Sequence, residues 1–303
     1  MVKLLARIVP PVPRLRRIFA VLIIACGVAV FPYVSGVSRV AGQFASRVSL
    51  VEVYATVTGP DGRAIEGLTA SDFTVDEDGV SQKIEAFASE GFALAVAVGL
   101  DRSFSMTAPT LAAAVSSTRS FVKALSPRDQ VMLVGIGSET EVLAPLTVDH
   151  AAALSALDEV DRWGTTPLFD AVVEAIDAVQ AASGRRALIL LSDGVDRYSR
   201  TTGPALVDYA RRHDVLVYPV SIGRSRPEIW AQVASLSGGR SFFLRDLREL
   251  TPTLQAIASE LRHQYLLGYA PPVGRSGWRS IRVRVNRPQT QVRARDGYVA
   301  AER

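Results

Sequence analysis

The apolar residues in the middle of the chain form two alternating patterns. Continuous apolar runs predict buried strands: FALAVAVGL (92–100), QVMLVGIG (130–137), RALILLS (186–192) and DVLVYPVSI (214–222). Segments with apolar residues three or four positions apart lie between them and predict helices, for example 110–125 and 167–182. Buried strands that alternate with helices predict a doubly wound, mostly parallel α/β sheet with helices on both faces. The short link from QVMLVGIG to TEVLAPLT (140–147) predicts one antiparallel edge strand.

Both flanks of this block have the shorter alternation of half-buried strands. VSLVEVYATVTG (48–59) alternates, and Asp78-Gly79 predicts a hairpin turn because glycine accepts a positive φ. Near the other end, Ile281, Val283 and Val285 alternate with two arginines. These arginines are interpreted as the solvated face of a sheet, with a basic patch for an anionic partner as the alternative. A single hairpin is poorly stable alone, so we predict one β-sandwich-like module built from both flanks.

The N-terminal segment has the composition of an export signal. Residues 1–17 hold five basic residues and no acid, and the seventeen residues Ile18–Val34 carry no charge. This layout predicts a signal peptide or an N-terminal membrane anchor, with the bulk of the protein outside the cytoplasm. We therefore expect an exported protein of the periplasm or cell envelope, either anchored to the membrane through residues 18–34 or secreted after cleavage.

The composition of the chain excludes several kinds of site and disfavours one class of partner. The net charge is +4, but residues 1–42 hold six basic residues and no acid, which leaves 28 basic and 30 acidic residues beyond them. A nucleic-acid partner is therefore not expected. Cys26 is the single cysteine, so an intrachain disulfide and a cysteine-ligated metal site are excluded. The predicted domains are the leader 1–45, a β module 46–90, the α/β block 91–262, and C-terminal strands 263–303 that pack with the β module.

Two aspartates follow strands of the predicted sheet. Asp101 ends the first strand, with Ser103 and Ser105 at alternating positions after it, and Asp193 ends a later strand. In an open parallel sheet, ligands bind outside the carboxyl ends of the strands, where the strand order reverses. Two carboxylates that face one crevice repel each other unless a cation lies between them. Carboxylate and hydroxyl oxygens suit a hard cation, with Mg²⁺ first and Mn²⁺ or Ca²⁺ as alternatives.

Each of these features also has a purely structural interpretation. Asp101 and the serines could cap the next helix, and Thr166 could be an N-cap followed by Pro167 at the first helical position. Asp193-Gly194 could be a simple turn.

Three motifs together resemble the metal-ion-dependent adhesion site of the von Willebrand factor type A domain: LDRSFSM (100–106), GTTPLFDA (164–171) and LLSDGVD (190–196). The resemblance covers about 91–262, and the flanks resemble an exported bacterial group of that family. It implies the type A fold and a metal site of Asp101, Ser103, Ser105, Thr166 and Asp193. Thr165 is the alternative to Thr166, which is preferred because an aspartate, Asp170, follows it by four residues. Phe104 replaces a glycine common in the family, and Phe104, Thr165 and Gly194 are the predicted ligand-binding rim.

The resemblance further implies a non-enzymatic, adhesion-type module whose bound cation captures an acidic group of a partner protein. The alternatives are a scaffold protein with a vestigial metal site and, less favoured, a Mg²⁺-dependent hydrolase. The three histidines, His150, His213 and His263, lie at predicted helix ends rather than near the motifs, and the sequence has neither a nucleophile elbow nor a phosphate-binding loop. We therefore expect that the protein is not an enzyme.

Overall fold

The computed structural model describes residues 50–89, 91–223, 226–274 and 276–301. The predicted leader 1–45, including Cys26 and the uncharged run 18–34, lies outside these ranges. None of the helices within the described ranges is long and apolar enough to cross a membrane.

The described residues form fourteen strands and six α-helices. The strands are β1 (Val51–Thr58), β2 (Phe73–Glu77), β3 (Val80–Gln82), β4 (Ile84–Ala88), β5 (Leu94–Asp101), β6 (Gln130–Ile136), β7 (Thr140–Thr147), β8 (Arg185–Ser192), β9 (Leu216–Ile222), β10 (Phe242–Leu244), β11 (Tyr265–Tyr269), β12 (Gly277–Val285), β13 (Gln291–Arg293) and β14 (Gly297–Ala300). The helices are α1 (Ala108–Ala124), α2 (His150–Ala156), α3 (Leu168–Gln180), α4 (Gly203–Arg212), α5 (Ile229–Ser237) and α6 (Leu250–Arg262).

A six-stranded sheet in the order β10-β9-β8-β5-β6-β7 forms the centre of the α/β block. All of its neighbouring strands are parallel except β7, which pairs antiparallel with β6 at the edge. All eight residues of β5 are buried. This confirms the predicted mostly parallel sheet with one antiparallel edge strand.

Helices cover both faces of this sheet because its strands are apolar on both sides. Val96, Val98 and Leu100 of β5 pack in a core with α1, α2 and α6. Ala95 and Ala97, which alternate with them, pack in a second core with α3, α4 and α5. Continuous apolar runs therefore serve two cores at once, as a buried parallel strand must.

The flanking segments form two antiparallel four-stranded sheets, in the orders β13-β1-β11-β4 and β14-β12-β2-β3. Each sheet combines strands from before and after the α/β block, and apolar residues such as Val53, Val75 and Leu267 fill the core that they share. The small β-sandwich-like module built from both flanks is thus confirmed. The segment 73–88 contributes three strands where the pattern predicts two, because β4 leaves the β2–β3 hairpin and pairs with β11 in the other sheet.

A buried ion pair joins the two sheets of the β module. Glu77 is 2% exposed and accepts hydrogen bonds from the Tyr269 hydroxyl at 2.7 Å and the Tyr298 hydroxyl at 3.1 Å. Its other oxygen pairs with Nη1 of Arg279. Tyr269 lies in one sheet and the other three residues lie in or end strands of the second, so one carboxylate bridges both.

The predicted hairpin is present at Asp78-Gly79. Both residues have positive φ, 50° and 80°, and β2 and β3 pair antiparallel on either side of them. The arginines that alternate along β12 behave as predicted for a solvated face, since Arg282 is exposed and Arg284 reaches across to Asp76 at 2.7 Å. The domain boundaries at 46–90, 91–262 and 263–303 remain predictions.

Candidate metal centre

Asp101 and Asp193 lie at the ends of neighbouring strands. β5 and β8 are adjacent and parallel, with Leu100 paired to Leu191 in the register. β6 lies on the other side of β5, so the connections that follow β5 and β8 run toward opposite edges of the sheet. The next residue of each strand is in direct contact, because the Ser192 hydroxyl donates a hydrogen bond of 2.6 Å to Oδ2 of Asp101.

The loop after β5 gathers its three alternating side chains. Oδ1 of Asp101 accepts the backbone N–H of Ser103 at 3.0 Å, and the Ser103 and Ser105 hydroxyls lie 3.0 Å apart. Asp101 and Ser103 are fully buried, whereas Ser105 is exposed. The turn therefore arranges one carboxylate and two hydroxyls from the interior toward the surface.

Backbone hydrogen bonds tie the three motif-bearing loops together. The Phe104 N–H donates to the Gly164 carbonyl at 3.0 Å, and the Trp163 N–H donates to the Arg102 carbonyl at 2.7 Å. The Arg197 N–H donates to the Thr166 carbonyl at 2.7 Å. The donors of all three motifs therefore belong to one interlocked surface at the carboxyl end of the sheet.

Gly164 is required for this approach. Its φ is +81°, and a Cβ added there would lie 2.4 Å from the backbone nitrogen of Ser138. Only glycine combines that conformation with so close a contact.

Thr166 and Thr165 occupy different environments. Thr166 is 1% exposed, and its hydroxyl has no hydrogen-bond partner among the described residues. Thr165 is exposed, and both its N–H and its hydroxyl lie against the Ser138 hydroxyl, at 3.0 and 3.4 Å. This burial favours Thr166 as the donor. Asp170, which selected Thr166 in the sequence, accepts the N–H groups of Arg200 and Thr201 and so fixes the third loop.

In the third motif, Asp193 is partly accessible to solvent, whereas Gly194 is buried. Asp193 is partly buried, and its Oδ1 accepts the Val195 N–H at 2.9 Å. Gly194 is buried, and its carbonyl accepts Nε1–H of Trp230 at 2.9 Å. The structure thus places Gly194 beneath the surface and not at the rim where the sequence analysis put it. Its φ of +81° favours a glycine, and an added Cβ would lie 2.9 Å from the Ser221 hydroxyl oxygen. Phe104 and Thr165 are exposed as a rim requires.

The two helix-capping alternatives do not describe what the fold contains, whereas a turn is present at Asp193-Gly194, where Gly194 has a φ of +81°. The N-cap of α1 is Thr107, which accepts the Thr110 N–H, so Asp101 and the serines do not cap that helix. The N-cap position of α3 is Pro167, without a side-chain cap, so Thr166 does not cap that helix either.

The electrostatics of Asp101 favour a bound cation. Burial raises the pKa of the Asp101 carboxyl above its usual range, and the nearby Asp193 carboxylate raises it further. Hydrogen bonds from Ser192 and Ser103 oppose this shift. Within the described ranges neither aspartate forms a salt bridge, although buried carboxylates are ordinarily paired.

The residues present fit a hard divalent cation. The described part of the chain contains no cluster of three or more His, Cys, Asp or Glu side chains that could hold a metal. A cation here depends on hydroxyl oxygens together with two carboxylates. A buried carboxylate without a basic partner and a second acid beside it are what such an ion would satisfy.

Sequence reasoning missed Ser192, which hydrogen-bonds Asp101 directly. The signal was available in part, because Ser192 precedes Asp193 in the same motif. Its contact with Asp101 depends on the register between β5 and β8, and that register cannot be read from the local sequence.

The histidines lie elsewhere. His150 is bonded to the Asp129 carbonyl at 2.8 Å, His213 to the Tyr209 carbonyl at 2.7 Å, and His263 to Glu66 at 3.1 Å. They stand at the ends of α2, α4 and α6, as predicted.

Part of the α/β block matches a known domain family. Residues 96–195 match the family model described as von Willebrand factor type A domain. The chain contains a von Willebrand factor type A domain. The matched residues run from β5 to the loop after β8, so the type A domain match includes all five predicted metal donors.

A curated relative is similar to this chain at low identity. A protein of Mycolicibacterium paratuberculosis (strain ATCC BAA-968 / K-10), described as UPF0353 protein, is 27% identical over 196 residues, which is 55% of this chain and 58% of the relative. The chain thus matches less than two thirds of that relative's length.

Two solved structures share the fold. One, described as von Willebrand factor type A from Catenulispora acidiphila, has a TM-score of 0.52 at 16% identity and covers 80% of this chain and 72% of its own. The other, proximal thread matrix protein 1 from the mussel byssus, has a TM-score of 0.50 at 14% identity and covers 68% and 50%. At these identities the likeness concerns the fold alone.

Proposed function

We propose that this chain is an exported, metal-dependent protein-binding module of the adhesion type. Asp101, Ser103, Ser105, Thr166 and Asp193 hold a divalent cation, with Mg²⁺ first and Mn²⁺ or Ca²⁺ as alternatives. The cation captures an acidic group of a partner protein. The single observation that carries the proposal is a fully buried carboxylate, Asp101, that has no basic partner and lies beside a second carboxylate.

The donor set explains why an acidic ligand is favoured. When bound, the cation supplies an electrophilic coordination position at the protein surface. If hydroxyls contact it directly and the aspartates act through water, the ion keeps positive charge, which favours an anionic ligand. Ser105 is exposed while Asp101 and Ser103 are buried, so this position faces solvent.

The same geometry supports binding rather than turnover. General acid–base chemistry needs a group within hydrogen-bond reach of the reacting atoms. The three histidines are bonded at helix ends to Asp129, Tyr209 and Glu66, none of which belongs to the motifs. A scaffold protein with a vestigial site, and a Mg²⁺-dependent hydrolase, are the alternatives.

Export is proposed from the sequence. Five basic residues followed by seventeen uncharged ones, Ile18–Val34, form the layout of a signal peptide or membrane anchor. We infer that the type A domain faces the periplasm or the exterior, where a protein partner is met.

Calorimetric titration with Mg²⁺ tests the metal site. The full chain is expected to bind Mg²⁺, and Asp101→Ala is expected to abolish binding because it removes the buried carboxylate. Asp61→Ala is the matched control, since Asp61 is an exposed acid of the β module. Equal Mg²⁺ affinity in wild type and Asp101→Ala would remove the proposal.

A second measurement separates the alternatives. Under the proposal, a chelator weakens capture of an acidic partner, whereas a scaffold with a vestigial site is insensitive to it. Turnover of generic phosphate or ester substrates that requires Asp101 would instead support the hydrolase.

A further inference from the structure

Exposed aromatic side chains concentrate around the candidate metal centre. Large hydrophobic residues are exposed at eight positions of the described chain: Val80, Phe104, Val142, Val148, Trp163, Tyr198, Val273 and Val299. The three aromatic residues among them occupy the three loops that carry the metal motifs. Phe104 lies between Ser103 and Ser105, Trp163 lies three residues before Thr166, and Tyr198 lies five residues after Asp193.

Phe104 is held in an outward position. Its side chain is 65% exposed, while its N–H donates to the Gly164 carbonyl at 3.0 Å. Arg162 donates to the Phe104 carbonyl at 2.8 Å, and its guanidinium lies 5.8 Å from the ring centre. The ring is therefore held against Arg162, on the residue between the two serines, without being buried.

The Trp163 ring packs against Gly137 and Arg102. Its ring packs so closely on Gly137 that a Cβ there would lie 2.6 Å from ring atom Cε3. The Arg102 guanidinium lies 5.3 Å from the ring centre, and Asp161 in turn pairs with Arg102 at 3.1 Å. With 41% of the residue still exposed, the indole offers a preorganised apolar face.

No interaction among the described residues accounts for a tyrosine at position 198. It is 77% exposed, and its φ of +76° lies in the left-handed region, which costs free energy for any residue with a Cβ. Its hydroxyl makes no hydrogen bond with another described residue. An exposed aromatic held in strained backbone beside a binding site points to a contact with a partner.

Exposed groups of both charges surround these rings. Arg162, Arg197 and Arg200 belong to the same loops, are exposed, and form no salt bridge within the described ranges. Asp161 is paired with Arg102. Glu139, in the β6–β7 turn, and Glu174, on α3, are exposed acids that line the groove with Thr165 and Tyr198. The preference for an acidic residue therefore comes from the cation and not from the charges around the rings.

We propose that Phe104, Trp163 and Tyr198 form an aromatic rim that selects partners whose acidic residue is flanked by large apolar side chains. The inference rests on the proposed function, since the acidic residue is the one captured by the cation. Buried aromatic anchors dominate binding energy at protein interfaces, whereas an isolated carboxylate gives little selectivity.

The test uses synthetic heptapeptides with a central glutamate flanked on both sides by Phe, Leu, Ser or Lys. They are titrated against the full chain in Mg²⁺ and again in chelator. We expect the Phe- and Leu-flanked peptides to bind at least tenfold tighter than the Ser-flanked peptide, and all binding to disappear in chelator. Trp163→Ala and Tyr198→Ala should each reduce that preference several-fold.

Controls keep the outcomes separate. Val273→Ala removes an exposed apolar residue outside these loops and should leave the preference unchanged. Trp163→Phe should retain most of it, which distinguishes loss of an aromatic contact from misfolding. Each variant is also titrated with Mg²⁺ alone, so that loss of the metal is recognised.

Equal binding of Ser- and Phe-flanked peptides in Mg²⁺, or an unchanged preference in Trp163→Ala and Tyr198→Ala, overturns the aromatic rim and leaves the proposed function standing. Peptide binding that persists in chelator overturns the proposed function, while the flanking preference is still measured. No binding of any peptide in Mg²⁺ contradicts both.

Discussion

Replacing Asp101 with asparagine separates the charge of the candidate metal centre from its shape. Asp101 is fully buried and accepts two hydrogen bonds, from the Ser103 N–H at 3.0 Å and the Ser192 hydroxyl at 2.6 Å. The asparagine carbonyl can accept the first, and its amide can donate to the Ser192 oxygen. The substitution therefore removes one buried charge beside Asp193 and keeps the packing.

The direction of the stability change follows from the pKa of Asp101. Because burial raises that pKa in the folded state, the protonated carboxyl stabilises the fold below the unfolded pKa of about 3.9. This contribution is lost as the pH rises through the folded pKa. Without metal, Asp101→Asn should therefore be more stable than wild type at pH 7, by about 0.5–2 kcal/mol, and the difference should vanish at acidic pH.

Mg²⁺ should reverse this order. At a concentration one hundred times the dissociation constant, a ligand that binds only the folded state stabilises it by about 2.7 kcal/mol. A domain of this size gains about 2–4 °C per kcal/mol, so the wild-type melting temperature should rise by about 5–10 °C. Asp101→Asn, which lacks the carboxylate, should show no shift.

Thermal denaturation followed by circular dichroism, from pH 3 to pH 8 with chelator or with Mg²⁺, measures both effects. The expected result is a crossing: the variant melts higher in chelator and wild type melts higher in Mg²⁺. A variant less stable than wild type in chelator at pH 7 would show that the Asp101 charge is already compensated by the protein. Equal Mg²⁺ shifts in both would refute the metal assignment.

Three further substitutions probe the site and its support. Thr166→Val should weaken Mg²⁺ binding about tenfold in calorimetry, which corresponds to one lost donor worth about 1.4 kcal/mol. Thr165→Val should weaken Mg²⁺ binding less than Thr166→Val does, and the reverse order would make Thr165 the donor. Gly164→Ala should destabilise the fold by about 2 kcal/mol or more in urea denaturation. The φ of Gly164 is +81°, and an added Cβ would lie 2.4 Å from the Ser138 backbone nitrogen. An unchanged denaturation midpoint would show that the loop can rearrange. Glu77→Ala should lower the free energy of unfolding by about 3–5 kcal/mol in the same assay, because it removes the carboxylate that pairs with Arg279 inside the β module. A decrease below about 1 kcal/mol would contradict that buried pairing.

The order of strands and helices was readable from local pattern. Continuous apolar runs gave β5, β6, β8 and β9, since a strand buried on both faces must be apolar at every position. The Asp78-Gly79 turn was equally local, because positive φ is a property of two adjacent residues. Pattern also placed Asp101 and Asp193 at strand ends.

Other features depended on which segments meet in space. β4 has the pattern of a hairpin strand but pairs with β11, and Gly194 reads as an exposed turn but is buried against Trp230. Both outcomes depend on contacts with residues distant in sequence, which no local period encodes.

The sequence by itself determined the element types and the donor chemistry, because side-chain periodicity and residue type are carried by the chain alone. Only the tertiary structure decided that Ser192 contacts Asp101, that Thr166 is buried while Thr165 is exposed, and that backbone hydrogen bonds join the three motif-bearing loops. These depend on strand register and on the approach of three loops, which are fixed by long-range packing.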